Sequence, residues 1–295
     1  MAGMGLSRIG YTNDKVTEYF AWNPFGAGCS RGCPDCWARA CAKRMKCPDC
    51  RAFIPHVHPE RMDWPSQRKK PSFVLCNFTN DWLDAERPPW DIGPMARAMF
   101  DAARHTYITL TQRPRRLQDW ALTPLDIYHG LTIRNQRQAD ERLPDFLQIP
   151  GNLWISFEPA EEEVDWEGIY SKHHSRMTPS KPGEWPDVFG PASDQLRGVI
   201  VGHNNRRGAP GTEMIEHIRN TVEQCVTAGV AVYVKQIWTW YCPHCGRAPM
   251  RGGPRFCLGC GREQKCRLLR ASHPAEYALY PEWARHRELP WEPKT

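Results

Sequence analysis

The sequence has no apolar run approaching the roughly 20 residues needed to span a bilayer. Its first residues, M-A-G-M-G-L-S-R, also lack an apolar run of signal-peptide length. These absences predict a soluble, cytoplasmic protein with no membrane partner. Strong charge of one sign is missing too. A net charge of +6 over 295 residues is a mild basic bias and does not by itself establish nucleic-acid binding. Cysteine and tryptophan, by contrast, are plentiful, at thirteen each. In a reducing compartment the cysteines read as metal ligands or free thiols, not disulfides. Tryptophan together with many arginines suits unstacked bases, although any single tryptophan is more often a core residue. A hydrophobic content of 41% is enough for one large α/β domain with an appendage, or for two modest domains.

Cys29, Cys33 and Cys36 lie in W-N-P-F-G-A-G-C-S-R-G-C-P-D-C-W-A with spacing C-x3-C-x2-C. The triplet lacks a fourth ligand. A structural zinc site is normally closed by four, whereas three thiolates can hold three irons of a [4Fe–4S] cluster and leave the fourth iron open to a small molecule. Four further cysteines, Cys242, Cys245, Cys257 and Cys260, form C-x2-C-x11-C-x2-C. That pattern predicts a structural zinc ribbon, with an auxiliary iron–sulfur cluster as the rival. Arg247, Arg251, Arg255 and Arg262 make the ribbon basic. Cys47 and Cys50 form another C-x2-C pair, and Cys41, His56 and His58 are near enough in sequence to complete a second metal site. We take Cys41, Cys47, Cys50 and His56 as that set, because His58 falls in H-P-E-R and has a competing role there. Cys76, Cys225 and Cys266 read as ordinary thiols, the first two buried in apolar runs.

Short β-branched or apolar runs alternate with helical patterns. Strands are expected near Thr17–Trp22, Phe73–Asn77, Tyr107–Thr111, Tyr128–Ile133, Leu153–Phe157, Val199–Gly202 and Val230–Lys235, with helices over Gly93–Arg104 and Thr212–Ala228. Such alternation implies parallel strands and right-handed crossovers, and six or seven units suit a partial or full (β/α) barrel. Chemistry in a barrel gathers at the C-terminal strand ends. Polar residues stand at every one: Asn77, Thr79, Asn80 and Asp81, Thr111 to Arg113, Arg134 to Gln136, Ser156 and Glu158, His203 to Asn205, and Lys235 with Gln236. The stretch from Glu161 to Gln195 reads as a long loop.

The cysteine loop resembles that of the radical S-adenosylmethionine (SAM) enzymes. Seven segments together resemble one phage-associated family of that superfamily, long described only as a domain of unknown function. They are W-N-P-F-G-A-G-C at 22–29, H-P-E-R-M at 58–62, N-F-T-N-D-W at 77–82, T-Q-R-P-R-R-L at 111–117, N-Q-R-Q-A-D-E-R-L-P at 135–144, I-S-F-E-P at 155–159 and V-K-Q-I-W at 234–238. The chain departs from the family in V-G-H-N-N at 201–205, where a G-G-E-S-G-like turn is usual, and in the inserted K-C-P-D-C at 46–50 and C-terminal C-P-H-C…C-L-G-C. The superfamily's aromatic before the third cysteine is replaced by Asp35, with Trp37 following.

The resemblance implies a radical SAM partial barrel over residues 1–240; the cysteine spacing adds the zinc ribbon at 241–266, and a C-terminal tail at 267–295 follows. The resemblance also implies a [4Fe–4S] cluster on Cys29, Cys33 and Cys36, SAM at the open iron and an external one-electron reductant of flavodoxin or ferredoxin type, while the ribbon spacing implies Zn2+. Asn77, Asp81, Thr111, Ser156, Glu158 and Gln236 are assigned to SAM. Arg113, Arg134 and Asn204 are assigned to substrate. Lys235, expensive in an apolar strand unless paired or functional, and His203 are the catalytic candidates. The expected reaction is hydrogen abstraction from a modified thymidine or other base in phage DNA, with rearrangement (an isomerase or mutase) as the favoured outcome. A base in duplex DNA would have to flip out to react, and a phage-encoded protein would act in the host cytoplasm. The alternatives are a radical SAM enzyme on a peptide or small metabolite, and a non-catalytic zinc-dependent nucleic-acid-binding protein.

Overall fold

The computed structural model describes residues 18–34, 36–120, 126–166, 196–204, 213–241, 260–263, 265–271 and 274–291. Its strands are β1 (Tyr19–Trp22), β2 (Phe73–Cys76), β3 (Thr106–Thr111), β4 (Ile127–Ile133), β5 (Asn152–Phe157), β6 (Leu196–Gly202), β7 (Ala231–Tyr241) and β8 (Lys265–Arg270). They follow one another in chain order in a mostly parallel sheet. The fold is therefore mixed α/β, and all seven expected strands are present. The sheet is open: among the described residues no pairing joins β1 to β8. β8, which the sequence reading did not anticipate, is antiparallel to β7.

The chain divides into two compact units. Among the described residues, one holds 18–131 with 149–152 and the other holds 132–148 with 153–291. In the first unit, β1, β2, β3 and β4 pair in parallel, with Trp22 opposite Cys76 and Cys76 opposite Thr109. The run T-Y-I-T-L-T buries Tyr107, whose ring lies 6.2 Å from that of Trp22, and Ile108, which pairs with Leu75. The helix α4 (Pro89–Asp101) begins with proline at a position where no backbone donor is needed. It buries Ile92, Met95 and Met99, whose spacing of three, four and seven puts them on one helical face. Asn77 ends β2 in the left-handed conformation, φ 56°, which turns the chain sharply out of the sheet.

In the second unit, β5, β6 and β7 are parallel. The expectation that the seventh strand closes at Lys235 needs correcting. The alternation continues through I-W-T-W-Y, and β7 runs on to Tyr241, pairing antiparallel with β8 from Gln236 onward. The changeover is marked by a register shift: Val201 faces Val234, but Gly202 faces Gln236. Lys235 is the extra residue, and bulges of this kind re-aim a side chain. The helix α6 (Gln136–Phe146) was also not expected. Asn135 caps it by accepting from the Gln138 N–H at 3.0 Å. The helix expected over 212–228 is α7 (Glu213–Thr227). Trp154 and Trp166 are buried here, Trp154 edge-on to Trp291 and Trp166 donating to the Thr221 hydroxyl at 3.1 Å.

Candidate metal centres

The cysteine loop leaves the C-terminal end of β1. Cys36 caps α1 (Trp37–Ala42), its sulfur accepting from the Arg39 N–H at 3.4 Å. The Cys29 sulfur accepts from the Arg31 N–H at 3.4 Å, and the Cys33 sulfur from the Gln112 side-chain amide at 3.6 Å. Each of the three half-buried sulfurs thus has one N–H donor, an arrangement that suits thiolates bound to iron, whose potential responds to hydrogen bonds at sulfur.

Residues from the next two strand ends lock this loop. Asp84 is fully buried. Its carboxylate accepts from the Ser30 N–H and hydroxyl, both at 2.8 Å, and from the Glu86 N–H at 3.0 Å. Burial pushes its pKa up, but these bonds and that from the Cys29 thiol outweigh burial and hold the carboxyl down at about 2. Burial, reinforced by Asp81 and Asp84, pushes the Cys29 thiol up to about 12, against a lowering by the Arg31 N–H. Arg113 reaches the Ser30 hydroxyl at 3.1 Å and Asp84 at 3.4 Å. Asp81 accepts from the Thr111 hydroxyl at 2.6 Å and the Gln112 N–H at 3.0 Å. Asn77 accepts from the Phe25 N–H at 3.2 Å, and its amide nitrogen approaches the Met95 sulfur at 3.0 Å. Asn77, Asp81, Thr111 and Arg113 therefore all gather around the loop, and each is already engaged in shaping it. Sequence reasoning missed Asp84. The available signal was its place in N-F-T-N-D-W-L-D, directly after a polar strand end.

The second candidate centre lies between β1 and β2 in the same unit. Cys47, Cys50, His56 and His58 place one ligand atom each within 4.8 Å of one another, a set that can hold a metal ion. Cys47 holds the N-cap position of the short helix α2 (Pro48–Ala52) with its side chain left off the helix backbone, and Cys50 lies buried within it. The His56 Nε2 stands 3.5 Å from both sulfurs, the His58 Nε2 3.4 Å from Cys50, and the two Nε2 atoms 3.0 Å apart. His58 replaces Cys41 in the expected set. The Cys41 sulfur instead meets the Arg44 guanidinium at 3.5 Å. The two histidines sit at i and i+2 on an extended segment, so their rings share a face; that spacing was the signal for His58. Burial, and then Arg61, pull the His58 pKa down, and burial pushes the Cys50 thiol up.

In the second unit, Glu158 receives Lys235 at 2.9 Å, the Gln236 amide at 3.4 Å and the Ser156 hydroxyl at 3.4 Å. The bulge thus turns Lys235 onto a carboxylate. Gly202 faces that carboxylate, and a Cβ there would come within 2.9 Å of it. The His203 Nδ1 accepts from the Trp238 N–H at 3.1 Å, and burial drives its pKa down to about 3, so the ring is neutral with its proton on Nε2. The Asn204 carbonyl accepts from the Trp238 indole at 2.9 Å. Arg134 is paired with Glu161. Cys242, Cys245 and Cys257 lie outside the described residues, as do Arg247, Arg251 and Arg255; Cys260 is exposed.

The structure defines a mixed α/β protein with an open, mostly parallel sheet and a Cys/His cluster able to bind metal. The chain belongs to the family described as "Protein of unknown function (DUF5131)", whose model matches residues 7–271. No curated protein and no solved structure is significantly similar to it. No helix among the described residues is long and apolar enough to cross a membrane.

Proposed function

We propose that the protein is a radical SAM enzyme with a partial-barrel fold whose [4Fe–4S] cluster is held by Cys29, Cys33 and Cys36. The observation that carries this is the three-cysteine loop at the C-terminal end of β1, with one N–H donor on each sulfur. When bound and reduced by an external electron donor, the cluster with SAM supplies a 5′-deoxyadenosyl radical that takes a hydrogen atom from substrate. The chain's own residues orient and insulate. Asp84, held by Ser30 and Arg113, fixes the span between Cys29 and Cys33. Gln112 donates to the Cys33 sulfur, and Asp81 holds Gln112 through its backbone. In the second unit, Lys235 sets the charge at Glu158.

For the substrate, the reading favours a base in DNA, rearranged after hydrogen abstraction. Its support is the basic balance of +6 and the exposed Trp37 and Trp90, which suit stacking on an unpaired base. A zinc-only nucleic-acid-binding protein is the competing reading.

Anaerobic reconstitution tests the chemistry. The wild-type protein is expected to take up iron and sulfide, turn brown and cleave SAM when reduced. Replacing Cys29, Cys33 and Cys36 together by alanine is expected to abolish the iron while zinc remains. A colourless wild-type protein holding zinc alone would overturn the enzyme reading. Binding to duplex and single-stranded DNA across a salt series tests the substrate class. Affinity should fall steeply with salt as counterions are released, and no binding at low salt would remove DNA.

A further inference from the structure

We propose that Cys47, Cys50, His56 and His58 hold one zinc ion in a closed structural site, and that this ion braces the cysteine loop that follows β1. The zinc site stands independently of the radical SAM reading; only the iron readout of the bracing rests on it.

The spacing of the four ligand atoms is that of one tetrahedral ion. With Zn–S near ~2.3 Å and Zn–N near ~2.0 Å, a tetrahedron sets thiolate and imidazole ligand atoms ~3.5 Å apart. Three of the four sulfur–nitrogen separations, Cys47–His56, Cys50–His56 and Cys50–His58, are 3.5, 3.5 and 3.4 Å. The outer contacts are also in place. The His56 Nδ1 lies 2.7 Å from the Ile54 carbonyl and the His58 Nδ1 2.9 Å from the Glu60 carboxylate. Those acceptors keep the proton on Nδ1 and turn the Nε2 lone pairs inward, as metal-bound histidines require. Two thiolates and two imidazoles in a tetrahedron favour zinc, and four protein ligands leave no open position for catalysis.

The bracing follows from how this knuckle is fastened. Phe25 and Val57 form an antiparallel bridge. The Gly26 N–H donates to the His56 carbonyl at 2.9 Å, and the His58 N–H to the Pro24 carbonyl at 2.7 Å. Two glycines allow the contact to be this close. A Cβ on Gly26 would lie 2.0 Å from the His56 ring, and one on Gly28, 2.5 Å from the Ile54–Pro55 backbone. Beyond them, Cys50 and Phe53 share an apolar cluster with Ala27, Ala38 and Ala42, against which Cys29 and Cys36 pack. The segment that ligates the ion is thus the wall on which the loop rests.

The test uses the full-length protein and zinc and cobalt as probes. Cys47→Ser and His58→Asn are each expected to lower bound zinc by one equivalent, and Cys41→Ser to leave it unchanged. His58→Cys, which restores four ligands, should keep the zinc and the fold. Cobalt in a Cys242→Ser background should still show tetrahedral, thiolate-bound absorption. Gly26→Ala, which removes no ligand, should weaken zinc binding at least tenfold. In the zinc-deficient variants, limited proteolysis should open the 26–58 segment and reconstituted iron should fall. Unchanged zinc in both Cys47→Ser and His58→Asn would overturn the site. Zinc loss with unaltered proteolysis and iron would overturn the bracing while leaving the radical SAM reading intact. A wild-type protein that binds this zinc but no iron would defeat the radical SAM reading alone, and proteolysis would then decide the bracing.

Discussion

Asp84→Asn is the substitution that most directly tests how the cysteine loop is held. One carboxylate oxygen accepts from the Ser30 hydroxyl and the Glu86 N–H, the other from the Ser30 N–H and Arg113. An asparagine has the same shape but only one acceptor atom. Whichever way the amide turns, its NH2 faces two donors. Hydrogen bonds to a charged group contribute about 1.5–3 kcal/mol each, and leaving a buried donor unmade costs about as much. Losing two, softened by local rearrangement, should destabilise the protein by about 3 kcal/mol. Urea unfolding followed by tryptophan fluorescence reads this as a lower midpoint at unchanged slope. The loop should also retain less reconstituted iron. A loss below about 0.5 kcal/mol, the size of an ordinary surface substitution, would refute the claim that Asp84 anchors the loop.

Lys235→Met should destabilise by about 3 kcal/mol, because it leaves the largely buried Glu158 carboxylate without its cation. Adding Glu158→Leu should recover most of that loss in the same unfolding assay, and a single variant as stable as wild type would show the pair is idle. Acid should weaken the protein between pH 6.5 and 4. His129 is buried beside the Thr109 hydroxyl, and burial lowers its pKa to about 4. Its neutral form is stable in the fold, while the unfolded chain takes up a proton over that window. The stability is therefore full above pH 6.5 and lost as pH falls towards 4, about 3 kcal/mol in all. His129→Leu should remove that part of the slope in urea titrations at stepped pH, and an unaltered slope would exclude His129 as its source.

The strands were legible because β-branched runs such as I-S-F and V-I-V alternate with polar strand ends, a signal that survives without tertiary context. What escaped depends on context. α6 hides in N-Q-R-Q-A-D-E-R-L-P, where charged residues outnumber apolar ones. It is fixed by the Asn135 cap and by Arg142, which is buried and donates to the Thr132 carbonyl. β8 has no apolar signature strong enough to stand alone and gains its partners from the unexpected length of β7. In the first site, cysteine spacing identified the loop, but nothing local shows that Asp84 turns back onto Ser30, 54 residues earlier. In the second, composition found the C-x2-C pair and His56. Choosing between Cys41 and His58 required knowing that Cys41 sits on α1 beside Arg44, whereas His58 shares an extended face with His56.

The region between β1 and β2 explains why a metal belongs there. It contains helices of only six, five and four residues, far below the roughly 12–15 at which an isolated helix becomes even marginally stable. Its apolar cluster consists largely of alanines with one phenylalanine and one cysteine, so little surface is removed from water. Yet the region carries the three cysteines that, on the proposed reading, must be held in fixed relation to bind one cluster. Hydrophobic burial there is too small to order the backbone, whose entropy costs about 1–2 kcal/mol per residue. A closed metal site contributes folding free energy directly, and Gly26 and Gly28 transmit it by letting the ligating segment lie against the cysteine loop. Order in this segment is thus tied to metal binding, which is why removing zinc, and not only removing iron ligands, should loosen the loop.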